Sequence, residues 1–85
     1  MRPRKLIADA LVVASHNSGK VIEIRGGNGL RNKLDGLGIR QGCIVKKISP
    51  TGFPGPIIIK IGNTQVAIGK GMAEKIIIEE INEPE

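Results

Sequence analysis

No tryptophan and no tyrosine occur in these 85 residues, and Phe53 is the sole aromatic side chain. A surface that stacks unpaired bases needs several rings, so that kind of nucleic-acid binder is disfavoured. Cysteine is limited to Cys43. No intrachain disulfide can form, which fits a reducing compartment. The thiol itself reads as a small buried hydrophobe at the start of a strand. There is no C-x-x-C and no histidine pair, so no structural zinc site is legible. His16, Cys43 and Met72, with Glu74 and Glu79, are the softer potential ligands, and their spacing does not cluster them. No stretch approaches the roughly 18 apolar residues of a membrane-spanning helix.

Catalytic groups are equally sparse. Ser15, Ser18 and Ser49 have no positioned base except His16, which adjoins Ser15 without a triad context. Asn17-Ser18-Gly19-Lys20 contains Gly-Lys, but the Walker spacing needs a glycine where this chain has Ala14. Gly26-Gly27-Asn28-Gly29 opens a helix, and its amides suit an anion. The pattern is not G-x-G-x-x-G, and a sharp strand-to-helix turn explains it. The expectation is therefore a protein without enzymatic activity. The start, Met1-Arg2-Pro3-Arg4-Lys5 followed by Leu6 to Ala14, is too short and too broken by Asp9 for a signal peptide, and no A-x-A site follows. Leu6, Ile7, Ala10, Leu11 and Ala14 fit a helical stripe. The alternatives for this stretch are a packing segment, a strand lead-in or a basic arm touching a membrane.

What is present is aliphatic and basic. Forty per cent of the chain is hydrophobic, almost all Ile, Leu, Val and Ala. Eighty-five residues make one domain with limited burial. Each fully buried Ile or Val contributes about 1.5–3 kcal/mol, so six or more can offset chain entropy without a staple. The net charge is +5, distributed as +9 over residues 1–73 and −4 over residues 74–85. A basic body of this kind serves nucleic acid, an acidic protein surface, or solvation alone.

Leu30 to Gly42 carries the strongest local signal. Leu30, Leu34 and Leu37 fall at i, i+4 and i+7, on one helical face. Asn28 is a plausible N-cap and Gly38 a plausible stop. Gly42 marks a turn into the strand run Cys43 to Ile48. Lys20 to Arg25 alternates as an earlier strand. Ile57 to Ile61 and Thr64 to Ile68 are joined by Gly62-Asn63, the signature of a hairpin. Gly71 to Lys75 suits one helical turn. Ile76 to Ile81 closes as a strand with Glu79 and Glu80 at its outer end. The order predicts a mainly β protein: a small barrel of about five strands, one short α-helix and a one-turn helix. Leu30, Leu34, Leu37, Ile59, Val66, Ile68 and Ile76 are the expected core.

These residues also carry a resemblance. Gly26-Gly27-Asn28-Gly29-Leu30-Arg31, then Leu34, Leu37-Gly38-Ile39 and Gly42, then Gly55-Pro56-Ile57, Val66-Ala67-Ile68-Gly69, Met72-Ala73 and Ile76, resemble the FeoA family of ferrous-iron transport. Arg40-Gln41 departs from it where the family often has proline. The resemblance covers residues 18–81, with 1–17 as a lead-in and 82–85 as an acidic tail. It implies an SH3-like barrel and a non-enzymatic cytoplasmic adaptor that binds or regulates the membrane transporter FeoB, which carries a GTP-binding domain. The same module ends metal-dependent repressors, but no helix-turn-helix precedes it here, which favours the stand-alone form. By resemblance alone, a transition metal ion (Fe2+, Mn2+ or Zn2+) is a possible ligand, and no cofactor is required. The candidate partner-binding residues are Arg31, Lys33 and Arg40 around the helix, and Phe53 at the tip of Thr51–Pro56. No nucleic-acid partner is expected and any membrane association is peripheral; the oligomeric state stays open. The alternative is a small basic barrel that binds nucleic acid as a transcription or translation accessory factor.

Overall fold

The structure is a computed structural model, which describes residues 4–13, 16–50, 52 and 54–82. The chain runs β1 (Arg4–Asp9), β2 (Ser18–Ile24), α1 (Asn28–Gly36), β3 (Ile44–Lys47), β4 (Ile57–Ile61), β5 (Thr64–Ile68), α2 (Lys70–Ala73) and β6 (Ile76–Asn82). The strands form one antiparallel sheet in the order β1-β6-β2-β3-β4-β5. Among the described residues there are six strands where about five were expected. The addition is β1, which pairs along β6 from Arg4↔Asn82 to Asp9↔Ile77. The helical stripe read over Leu6 to Leu11 does not form a helix. Sheet hydrogen bonds to β6 hold Arg4–Asp9 extended, and the carboxylate of Asp9 then accepts from the amides of Leu11 and Val12 to make a turn.

Period-two alternation sorts the strands. Val21, Val45, Ile57, Ile59, Ile68, Ile76 and Ile78, joined by Ile24 through a register shift in β2 between Val21 and Glu23, form a single core with Leu34, Ile39 and Ala73. Gly19 permits the close approach of β2 to β6: a Cβ there would meet the Ile78 side chain and lie 2.8 Å from the carbonyl oxygen of Glu79. The β4–β5 hairpin turns at Gly62-Asn63 as expected. Only Gly62 takes positive φ (60°), which fits a turn with glycine in the first central position.

Three expectations need correction. Leu37 is 38% exposed and lies outside the core, while Leu30 and Val66 are only partly buried. Leu37 is the C-cap of α1, so the chain has already left the helical stripe there. Asn28 is not the N-cap. Gly27 takes the extended cap conformation, and its carbonyl accepts the first helical bond, from Arg31 N–H at 3.1 Å. Glu80 does not lie at an outer end. It is 5% exposed, because alternation from Ile76 and Ile78 turns it inward, where the Asn17 side-chain amide donates to its carboxylate.

Candidate functional site

The turn after α1 builds the site. Gly38, at φ 92°, is the left-handed residue that ends the helix. Its N–H donates to Asp35 O (2.9 Å), and Ile39 N–H donates to Leu34 O (2.8 Å). These two bonds define a Schellman motif. Its apolar contact pairs Leu34 with Ile39, both fully buried. Reversal of the chain at Gly38 then brings Arg40 back beside the helix. The Arg40 carbonyl accepts from Cys43 N–H at 3.1 Å, and Gly42 supplies the positive φ (97°) within that turn. Cys43 is half-buried against the core, as its reading as a hydrophobe implies.

A cleft of about 220 Å3 lies along this turn, lined by Ile24, Arg31, Asn32, Asp35, Ile39, Arg40 and Gln41. Two of the four sequence-derived candidates, Arg31 and Arg40, therefore share it. Their charges are differently employed. Arg31 donates from Nη2 to Ile24 O (3.0 Å) and from Nε to Gly26 O (3.4 Å), bracing the turn between β2 and α1. Arg40 Nε sits 3.0 Å from Asp35 Oδ1, with both side chains mostly exposed. That ion pair offsets an acid placed at the unfavourable C-terminal end of a helix, although exposed pairs contribute at most about 1 kcal/mol. Lys33 is exposed in the last turn of α1 but is not part of the cleft lining. Phe53 lies outside the described residues.

Two features escaped the sequence reading. Lys47 is 3% exposed, and its Nζ donates to Leu11 O at 2.6 Å. Burial lowers its pKa below the ordinary lysine value, partly opposed by the charge of Asp9. Its backbone also holds the loop before β2: His16 N–H donates to Lys47 O (2.6 Å), and Lys47 N–H donates to Asn17 O (3.0 Å). The signal was available, since Val45 and Lys47 must share a face in Ile44–Lys47. The second feature is Lys46, which stands directly opposite Lys60 across β3 and β4.

Among the described residues, no three of His, Cys, Asp and Glu come together as a metal set. His16 and Cys43 flank opposite ends of β3, so neither extends the other's coordination. Among the described residues, no helix is long and apolar enough to cross a membrane.

Comparison with known proteins agrees with the geometry. The FeoA domain model matches residues 12–80. A crystal structure of an iron uptake regulatory protein, FeoA, is 29% identical, with a TM-score of 0.80 over 88% of this chain and 97% of that one. An FeoA-like protein from Clostridium acetobutylicum is 22% identical, with a TM-score of 0.78 over 93% and 92% of the two chains. FeoA from Stenotrophomonas maltophilia, solved with zinc and described as a prokaryotic SH3 domain protein suggested to activate ferrous iron transport, is 19% identical, with a TM-score of 0.71 over 82% and 87%. A search of curated proteins finds no match. An SH3-like sheet, a Schellman-capped helix and a family match spanning most of the sequence together assign this chain to the FeoA domain family.

Proposed function

We propose that this chain is a non-enzymatic cytoplasmic accessory of ferrous iron transport, acting by docking on the cytosolic part of an FeoB-type transporter. The observation that carries this reading is the family match over residues 12–80. The helix cleft supports it: Arg40, Asn32 and Gln41 are exposed beside a rigid, Schellman-capped turn. Arginine is favoured as an interface anchor. Lys33 extends the positive charge along the exposed side of α1, and Phe53 remains the candidate apolar anchor.

Binding of the full chain to the isolated cytosolic domain of the transporter tests the reading. Because Arg31 braces the β2–α1 turn, the informative charge reversal is Lys33→Glu with Arg40→Glu. That variant is expected to slow association by about tenfold and to flatten its salt dependence, since charge steers encounter. Phe53→Ala is expected to raise the off-rate. Equal affinities for wild type and both variants would remove these surfaces. No binding to the transporter, together with steeply salt-dependent binding to DNA or RNA, would favour the nucleic-acid reading instead.

A further inference from the structure

A second groove, of about 240 Å3, lies on the face of the sheet away from the core. Its lining is Ser18, Ile44, Val45, Lys46, Lys60 and Gly62, none of which lines the helix cleft. Register explains its charge. Lys46 opposes Lys60 on β4 and Ser18 on β2, while Ile44 opposes Lys20 on β2. Three lysines on three adjacent strands therefore surround Ile44, which is 61% exposed.

Like charges directly opposite each other destabilise a sheet. Among the described residues no ion pair takes up either lysine. The ion pairs there are Arg25–Glu23 and Arg40–Asp35, and neither Lys46 nor Lys60 takes part in them. Glu79 opposes Lys20 across β2 and β6 without forming an ion pair. A lysine pair without an ion-pair partner beside an exposed isoleucine suits a ligand with two kinds of group. A simple anion would neutralise the lysines and leave Ile44 wet. A nucleic acid would find phosphate partners but no aromatic platform in this lining.

We infer that this groove docks an acidic polypeptide segment, with carboxylates on Lys46 and Lys60 and an apolar side chain on Ile44. The inference goes beyond the transporter reading, because it specifies the chemistry of a partner at a separate site whatever that partner's identity. The carboxylates replace a repulsive pair by two attractive ones, and the apolar contact fixes the register of the segment.

The test is an NMR titration of the full chain with a synthetic peptide of glutamates around one central leucine. A matched peptide has serine in place of that leucine; inorganic phosphate and single-stranded DNA are the other ligands. Amide shifts are expected at Ser18, Ile44, Lys46 and Lys60. Lys46→Glu with Lys60→Glu should weaken peptide binding by about tenfold or more, as opposed charge becomes like charge. Lys46→Gln with Lys60→Gln gives an intermediate loss and guards against misfolding, which the amide spectrum also reports. Ile44→Ser and the serine peptide should each weaken binding several-fold. The inference is overturned by shifts spread equally over Lys33, Lys70 and Lys75, by an Ile44→Ser variant that binds as well as wild type, or by DNA or phosphate occupying the groove more tightly than the peptide. No transporter enters this experiment, so its failure leaves the transporter reading untouched.

Discussion

Replacing Leu34 by alanine should remove a large share of the stability of this domain. Leu34 is fully buried, and it is the one residue of α1 in that state. It contacts Ile39 across the Schellman turn and anchors the helix to the sheet. The substitution removes three carbons, at about 0.8 kcal/mol per buried methylene, or roughly 2.4 kcal/mol of transfer free energy. Incomplete collapse of the cavity raises the cost to about 2.7–5 kcal/mol. A domain of this length has about 4–13 kcal/mol in total. With a urea dependence of about 1–2 kcal/mol per molar, the unfolding midpoint should fall by more than about 1 M. Leu37→Ala is the matched control. It deletes the same atoms three residues later, at a residue that is 38% exposed, and should cost no more than about 1.5 kcal/mol. A loss below about 0.5 kcal/mol at Leu34, or a larger loss at Leu37 than at Leu34, would refute this packing of α1.

Two further predictions use backbone and charge. Gly36→Ala, in the last turn of α1 with open space around it, should stabilise the protein by about 0.5–1 kcal/mol, whereas Gly38→Ala, at φ 92°, should destabilise it by more than about 1 kcal/mol; urea unfolding reads both. Lys47 predicts a pH effect. Its folded pKa lies below the unfolded value of about 10.4, so the buried charge costs stability at pH below the folded value. That cost is relieved as pH rises through the folded pKa towards the unfolded one, because the unfolded chain then binds more protons. Wild type should therefore gain stability relative to Lys47→Met across this alkaline window in thermal melts, and parallel curves would show that Lys47 is not desolvated.

The helix, its glycine stop and the Gly62-Asn63 hairpin were legible because each is written locally. A left-handed residue needs Gly38, and a two-residue hairpin needs glycine at its first position. The apolar period likewise singled out Leu34. The misses depended on distant partners. Arg4–Asp9 is a strand because β6 pairs with it, and no local period announces that. Leu37 fitted the helical stripe, but the chain reverses there and Ile39 takes the buried place. Of the site, Arg31 and Arg40 were identified as charged positions, yet their different employment was not. One is bound to carbonyls of another segment, and the other is paired with Asp35 through a turn. The lysine groove depends on the register between β3 and β4, which a single strand's sequence does not contain.

The place of β6 between β1 and β2 has a consequence for how the domain is made. Arg4 pairs with Asn82 and Gly19 with Glu80, so two strands early in the sequence wait for the last described one. The β4–β5 hairpin closes over a two-residue turn and can form as soon as it exists. Completion of the sheet instead requires contacts between nearly opposite ends of the described chain, and folding is slow when such distant pairings dominate. During synthesis β2 has β3 on one side and an open edge on the other until β6 emerges. An open strand edge beside apolar side chains such as Val21 and Ile24 is a template for pairing with another chain. Truncation or delay within β6 should therefore show itself first as aggregation of the nascent protein, with the hairpin already formed.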